Sequence, residues 1–296
     1  MPILLIAALL ILLPWSQSTV HRSGGLRQIA PGHYVYLHTD DAPGVSSTFN
    51  SGIIVTSEGV VVVDALSSED IARQVRKAIS TVTAQPVRFL VSSTFHGRFT
   101  GGNAVYQDAF KIGHEHYRTD LVRLLQNESP AQQRLKLPNQ TYRDRVTLSL
   151  GGKEIHVLHL GRAHTRGDSI VFVPADRIAY LSEVFNFDEF PYLSDAYPGD
   201  WMRTLEAAEA LEADIFVPGH GFLPDNPRET RRGLRSQRQI LADVRAAVQR
   251  EIGRGATEAQ VVANVDLPQY RRFKGYSEAM AIAVRRTYRE LTVGLE

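Results

Sequence analysis

The sequence contains no cysteine among its 296 residues. Disulfide bonds, thiolate nucleophiles and cysteine metal ligands are therefore excluded, and any metal site must be built from histidine and carboxylate groups. An excess of charge is also absent, because the formal net charge is only +1 and no long run of like charges occurs. We therefore do not expect a nucleic-acid partner. A hydrophobic content of 43% is ordinary for a globular protein with a substantial core.

Long hydrophobic runs are absent as well, apart from one at the amino terminus. Residues 2–13 form an apolar run that is too short to cross a bilayer, and Ser16 to Ser18 supply small residues placed for cleavage. We interpret residues 1–18 as a signal peptide and predict a periplasmic or secreted protein that starts near Thr19, with no stable membrane span after cleavage. Since no Lys or Arg precedes the run, an uncleaved interfacial anchor is the alternative.

The most informative stretch runs from Val87 to Tyr106, VRFLVSSTFHGRFTGGNAVY. Its apolar, β-branched start predicts a buried strand, and Gly101-Gly102-Asn103 predicts a tight turn into a helix. The loop between them follows the carboxyl end of a buried strand, where α/β proteins usually place binding and catalytic groups.

This stretch resembles the signature of the metallo-β-lactamase-fold hydrolases, a strand followed by His-x-His-x-Asp-His-x-Gly-Gly-Asn. Gly101 to Asn103 set the register, so that His96 matches the second histidine of the signature. The other three ligand positions differ: Thr94 stands in place of the first histidine, Arg98 in place of the aspartate, and Phe99 in place of the last histidine.

The resemblance continues downstream, from about Tyr34 to about Gly221. It matches His164 to the lone histidine of the family, Glu183 to its metal-bridging acid, and His220, in PGHG, to the last ligand.

Asp64 closes the apolar run VVVVDAL at a position where the family has an aspartate that supports the metal loop. Its alternative role is as a cap for the following helix.

The order of predicted elements is strands, helix, strands, helix, which periodicity alone describes as α/β with two sheets. The resemblance implies a four-layer αββα sandwich. We assign residues 19–225 to a metallo-β-lactamase-like domain and residues 226–296 to a carboxyl-terminal helical extension packed on it. A separate helical module is the alternative for the extension.

The resemblance implies two zinc ions that activate a water for attack on a carbonyl or phosphoryl centre. Here the second ion loses two ligands, because Arg98 and Phe99 replace them. The permanent positive charge of Arg98 would also repel a dication ~4 Å away by several kcal/mol at an effective dielectric constant of about 20. We therefore expect at most one zinc ion, and Thr94, with its neutral hydroxyl, as a neighbour of the site. The predicted ligands are His96, His164 and His220, with Glu183 as fourth ligand or as base, and a polar core role is the alternative for each histidine.

The functional hypothesis is an exported, metal-dependent hydrolase that acts on a small ester, thioester, lactone or amide. The alternative is a non-catalytic protein that binds an anionic small molecule through Arg98. In either case we predict that the guanidinium of Arg98 replaces the missing dication by pairing with Glu183 or with a bound anion. The sequence makes no prediction of the oligomeric state.

Other histidines lie outside the signature. His114 and His116 are expected on a helix, two positions apart and on different faces, and His156 and His159 on opposite faces of a strand. We therefore predict no metal site there.

The segment from Phe185 to Trp201 is rich in aromatic residues and proline. It is expected either to wall a pocket or to bury its rings against the domain's own helices. The aromatic side chains in question are those of Phe187, Phe190, Tyr192 and Tyr197.

Overall fold

The computed structural model describes residues 24–42 and 45–295. The predicted signal peptide and the predicted start at Thr19 lie outside this range. Within it, no helix is both long and apolar enough to cross a membrane.

Twelve strands form two mixed sheets in the described part of the chain. They are β1 (Gly25–Ala30), β2 (His33–Ala42), β3 (Val45–Val55), β4 (Val60–Val63), β5 (Val87–Ser92), β6 (Phe110–His114), β7 (Gln140–Tyr142), β8 (Arg145–Leu150), β9 (Lys153–Leu158), β10 (Ile170–Val173), β11 (Ile178–Asn186) and β12 (Ile215–His220). Sheet one has the order β1-β2-β3-β4-β5-β6-β7, and sheet two has the order β12-β11-β10-β9-β8. Strands β4 to β7 run parallel to one another, as do β11 and β12.

Eight α-helices complete the described chain. They are α1 (Glu69–Ser80), α2 (Gly97–Thr100), α3 (Glu115–Leu124), α4 (Pro130–Lys136), α5 (Pro198–Glu209), α6 (Thr230–Gly253), α7 (Glu258–Asn264) and α8 (Tyr276–Thr292).

The alternating side chains of β4 show why the sheets stack as they do. Val61 and Val63 point into the core between the two sheets, whereas Val60 and Val62 pack with Val75 of α1 on the outer face of sheet one. A strand that is buried on both faces reads as a continuous apolar run. The outer face of sheet two is covered by α5, α6 and α8, so that the predicted four-layer αββα sandwich is confirmed.

The carboxyl-terminal helices share a hydrophobic core with sheet two. Leu234 and Val244 of α6 and Val284 of α8 are buried in the same cluster as Leu181 and Phe216 of β11 and β12. This contact agrees with an extension that packs on the domain, while the division at residue 225 stays a prediction.

Several elements lie where the sequence has no strong local pattern. Polar segments before His33 and around residue 140 contribute β1 and β7, and polar segments after α3 and after α6 contain α4 and α7. Helix α5 begins at Pro198. His220 is the last residue of β12.

The aromatic segment between β11 and α5 mostly follows the alternative of burial against the domain's helices. Phe187, Phe190 and Tyr197 are buried, and the first two lie in the cluster formed with α5, α6 and α8. Tyr192 differs, with 47% of its surface exposed.

Candidate metal centre

The predicted site residues come from the carboxyl ends of strands in both sheets. His96 follows β5 as the residue that precedes α2, and His164 lies in the connection between β9 and β10. Glu183 is in β11 and His220 ends the neighbouring parallel strand β12. Parallel strands bring their carboxyl ends to the same edge, which places these distant residues together.

The two glycines of the signature allow the loop of His96 to pack closely. A Cβ atom at Gly101 would lie 2.0 Å from the backbone oxygen of Ser67, and one at Gly102 would lie 2.4 Å from that of Ala65. Asn103 is fully buried and donates hydrogen bonds to the hydroxyl of Tyr117 and the backbone oxygen of Lys136, both at 3.0 Å. The Gly-Gly-Asn motif therefore fixes the loop against α1, α3 and α4.

Glu183 is the centre of the site. Its Oε2 atom lies 2.6 Å from Nδ1 of His96 and 3.2 Å from Nδ1 of His164, and its Oε1 atom lies 3.4 Å from Nε2 of His220. Burial opposes ionisation of the carboxyl group, but His164 and His96 outweigh it and hold the pKa of Glu183 well below its usual range. The structure thus brings together all four residues that were predicted to bind the metal.

Three of these four form the tightest set of donor atoms. His96, His164 and Glu183 each offer a ligand atom, and these atoms lie within 4.8 Å of one another. His220 is outside this set, since its Nδ1 atom pairs with the backbone oxygen of Thr48 at 2.9 Å and its other nitrogen faces the far oxygen of Glu183.

The donor set fits a metal ion. Nδ1 of His164 is buried and makes no hydrogen bond of acceptable geometry, although it lies 3.2 Å from the carboxylate. Such an unsatisfied donor or acceptor is costly unless something else binds it. Two imidazoles and one carboxylate are a ligand set that zinc accepts in catalytic sites.

An aromatic cluster occupies the side of the site where the ligands of the second metal ion lie in the family. Phe99 is fully buried, and its ring lies 5.9 Å from that of Phe49 and 5.3 Å from that of His220. The rings of Phe49 and His220 are 5.2 Å apart. His220 is therefore held by aromatic contacts as well as by Glu183.

The predicted ion pair between Arg98 and Glu183 does not occur among the described residues, and the pairing of Arg98 with a bound anion stays a prediction. Among the described residues, the partners of Glu183 are the three histidines, and Arg98 is exposed with its guanidinium carbon 4.9 Å from the ring centroid of Phe49. Because the histidines already surround the carboxylate, it does not need a guanidinium to replace a cation.

Thr94 is fully buried, and its hydroxyl finds no partner in the described part of the protein. The position at which the family has its first histidine is thus enclosed. A hydroxyl there adds only a weak candidate ligand.

Asp64 stabilises the backbone that carries the site residues. Its carboxylate accepts hydrogen bonds from the backbone N–H of Ser93 at 2.8 Å and from the hydroxyl of Ser93 at 2.7 Å, and it also contacts the hydroxyl of Ser182. Burial raises the pKa of Asp64 to about 7 in spite of these bonds. The alternative role as a helix cap is wrong, because Ser68 caps α1.

Backbone conformation reinforces this support. Asp64 has φ 68° and Ser182 has φ 48°, two left-handed conformations that are uncommon for residues other than glycine. At Ser182 the register between β11 and β12 shifts, which directs the next side chain, Glu183, to the site.

Two residues that the sequence analysis did not select also contact the centre. The ring of Trp201 lies 5.3 Å from that of His164, and the indole N–H donates to the backbone oxygen of Val184 at 2.8 Å. Asp195 reaches His96, with 3.2 Å between Oδ2 and Nε2. No sequence pattern marks Asp195, which lies in the irregular aromatic segment 99 positions from its partner.

A second group of histidines lies at the neighbouring strand end. The rings of His114 and His159 stack with centroids 4.0 Å apart, and those of His114 and His116 are 5.1 Å apart. The expectation of different faces was wrong, because His114 ends β6 and caps α3, while His159 lies just beyond β9. These three histidines are not among the metal-binding groups found in the described residues.

Comparisons with known proteins show which family the chain is similar to. The sequence profile of the family described as the metallo-beta-lactamase superfamily matches residues 49–220. The chain is 25% identical over 192 residues to the 2,4-dinitroanisole O-demethylase subunit alpha of a Nocardioides species, covering 62% of this chain and 57% of that protein. It is 22% identical to the metallo-beta-lactamase type 2 of Elizabethkingia meningoseptica, covering 63% of this chain and 74% of that protein.

Among solved structures, a stereoselective inverting sec-alkylsulfatase from a Pseudomonas species superposes with a TM-score of 0.72 at 16% identity. The match covers 92% of this chain and 51% of the sulfatase. The chain therefore spans little more than half the length of the demethylase subunit and of the sulfatase.

Proposed function

Since the chain belongs to the metallo-beta-lactamase superfamily, we propose that it is an exported hydrolase with at most one zinc ion, acting on a small ester, thioester, lactone or amide. The observation that carries the proposal is the cluster of donor atoms from His96, His164 and Glu183 within 4.8 Å. A zinc ion held there would supply a Lewis acid and a water of lowered pKa.

The protein's own residues have separate tasks in this proposal. His96 and His164 offer their Nδ1 atoms to the metal position, and Glu183 offers the oxygen between them. The other oxygen of Glu183 faces Nε2 of His220 at 3.4 Å, which holds the imidazole of His220 at the edge of the site. Asp64 and Ser182 fix the backbone from which Glu183 projects.

The aromatic cluster supports the limit of one ion. A second zinc ion needs further nitrogen or oxygen ligands, and Phe99 offers none at the position where the family has a histidine. Its ring instead packs on Phe49 and His220, so an apolar group stands where a hydrated dication would need a further polar ligand.

The names of the relatives support the substrate class only in outline. They refer to a β-lactam amide, an alkyl sulfate ester and an aryl methyl ether. In each of these compounds the bond that breaks joins an attacked atom to a nitrogen or oxygen atom that leaves. We choose carboxylic esters, thioesters, lactones and amides because a Lewis acid that polarises a carbonyl oxygen and an activated water are what their hydrolysis requires.

The test is a hydrolysis assay on a panel of these four substrate classes. We expect at least one class to be cleaved by zinc-loaded protein, with activity lost on chelation, restored by zinc, and abolished in Glu183→Gln. A fully folded, zinc-loaded protein that cleaves no class would contradict the proposal and favour the non-catalytic alternative, in which the protein binds an anionic small molecule.

A further inference from the structure

Asp195 makes a contact with the candidate centre that the resemblance to the family does not imply. One ring nitrogen of His96, Nδ1, faces Glu183 at 2.6 Å, and the other, Nε2, faces the carboxylate of Asp195 at 3.2 Å. The ring is therefore held from both sides by acidic groups, and its orientation about the Cβ–Cγ bond is fixed.

The backbone around Asp195 is fastened to two other parts of the fold. The next residue, Ala196, accepts a hydrogen bond at 2.6 Å from the guanidinium of Arg286 in α8, and Tyr197 donates its N–H to the backbone oxygen of Ala163 at 2.9 Å. Ala163 directly precedes His164. The segment that carries Asp195 is thus bonded both to the loop of His164 and to helix α8.

The side chain of Asp195 is itself oriented. The hydroxyl of Ser194 donates to Oδ2 of Asp195 at 2.9 Å, the same oxygen that faces His96. Half of the Asp195 side chain is exposed, so its role cannot be to fill the core. Because Ser194 orients the carboxylate of Asp195, that carboxylate can in turn fix the ring of His96.

We propose that Asp195 is a positioning residue that keeps Nε2 of His96 protonated and thereby directs the lone pair of Nδ1 to the metal position. Histidine ligands commonly donate their second N–H to a carboxylate, which fixes the tautomer and raises the basicity of the ligand. This inference rests on the proposed function, because it assumes that Nδ1 of His96 binds a metal.

The inference gives the carboxyl-terminal region a part in the site. Arg286 lies on α8 and bonds to the residue next to Asp195, while its guanidinium carbon lies 5.5 Å from the ring centroid of Tyr197. Loss of this arginine should displace the Asp195 segment and weaken the metal site without touching any ligand.

The first measurement is the zinc affinity of the full chain, by competition with a chromophoric chelator. We expect Asp195→Ala to weaken zinc binding about 10- to 100-fold, the usual effect of removing such a partner. Asp195→Asn, which keeps an acceptor oxygen but loses the charge, should weaken it less, and Arg286→Ala should lie between Asp195→Asn and Asp195→Ala. Asp188→Asn is the matched control, since it removes a carboxylate from the same segment with no contact to His96.

The second measurement needs no metal. In metal-free protein labelled with ¹⁵N at histidine, the Nε2–H of His96 should give a signal protected from exchange, which Asp195→Ala abolishes and Asp188→Asn preserves. Unchanged zinc affinity in Asp195→Ala, or an Nε2–H signal that survives in it, would overturn the positioning role while the proposed function stands. If the unaltered protein binds no zinc, the proposed function fails, and the metal-free signal alone decides whether Asp195 positions His96.

Discussion

At the residue scale, the proposed limit of one metal ion depends most on Phe99. Its buried ring contacts Phe49 and His220, and the aromatic group replaces a side chain that could bind a metal. Thr94 has a similar effect on the other side, where its buried hydroxyl has no partner in the described structure. In the proposed function, the identity of these few residues separates a one-ion site from the two-ion site of the family.

Restoring the three missing ligands should restore the second ion. We expect the combined variant Thr94→His, Arg98→Asp and Phe99→His to bind two zinc ions per chain, because it supplies two ligands to the second position and removes a permanent positive charge. Equilibrium dialysis with metal analysis measures the stoichiometry, and circular dichroism confirms folding. Phe99→Ala, which removes the ring without adding a ligand, is the control, and a second ion bound by that control would contradict the explanation.

The histidine group around His114 makes stability depend on pH. Burial, together with His159 and His116, lowers the pKa of His114 to about 4, and burial also lowers the pKa of His159. The native state therefore binds fewer protons than the unfolded chain between about pH 6.5 and pH 4, and its stability falls as the pH drops through this window. Glu115 acts on both histidines and Asp144 acts on His159; these carboxylates raise the pKa values, but burial outweighs them.

Replacing His114 with asparagine tests this dependence. Asn keeps an acceptor for the backbone N–H of His116, which His114 caps at present, but it cannot be protonated. Urea unfolding at several pH values should show a flatter stability profile between pH 6.5 and pH 4 for His114→Asn than for the unaltered protein. Equal slopes would show that the cluster does not control acid stability.

At the scale of elements, the loop of residues 161–169 determines where His164 lies. Arg166 forms a two-pronged ion pair with Asp120 of α3, at 2.8 and 2.6 Å. Ser169 donates its N–H to the backbone oxygen of Ser93 at 2.8 Å, and Gly167 lies directly against the start of α3. The loop is therefore attached both to α3 and to the loop of His96.

Gly167 is the position at which this attachment is most sensitive. A Cβ atom there would lie 2.4 Å from the backbone nitrogen of Tyr117, so Gly167→Ala forces the loop away from α3 and should cost about 1–3 kcal/mol in unfolding free energy. Gly253→Ala is the control, since a Cβ atom meets nothing within 4 Å at this helical position. Denaturant unfolding should show a loss for Gly167→Ala and none for the control, and equal stability of the two variants would refute the close packing.

The sequence predicted the elements that follow strong local patterns and missed those that depend on distant partners. β4 and β5 are continuous apolar runs, and the Gly-Gly-Asn turn occupies a place where only glycine fits, so they are evident from the sequence. β1 and β7 lie at the edges of sheet one and lack such a pattern, because their pairing with a neighbour stabilises them.

The same reasoning applies to the site. The order of His96, His164, Glu183 and His220 along the chain matches that of the family's ligands, and this match predicted that they converge. The direction of Arg98 and the contact of Asp195 with His96 could not be predicted, because both depend on the course of irregular segments in three dimensions.

At the scale of the whole molecule, the carboxyl-terminal helices complete the core of sheet two. The clustered side chains from α6 and α8 cover β11 and β12, the two strands that carry Glu183 and His220. Glu290 of α8 also accepts a hydrogen bond from the N–H of Gly199 at 2.9 Å and pairs with Arg245 of α6.

Removal of residues 226–296 should therefore prevent folding rather than release an independent domain. We expect the truncated chain to be insoluble or to lack a cooperative thermal transition, because the apolar face of sheet two would meet water. The truncated and full-length chains are expressed under the same conditions, and their solubility and calorimetric unfolding transitions are compared. A soluble truncated chain with an intact cooperative transition would show that the helices form a separate module.

The proposed function depends most directly on the number of metal ions per chain. Protein purified without chelators and dialysed against zinc should carry one zinc ion per chain by native mass spectrometry, and His164→Ala should carry none. Two ions in the unaltered protein, or no ion at all, would contradict the proposed one-zinc site.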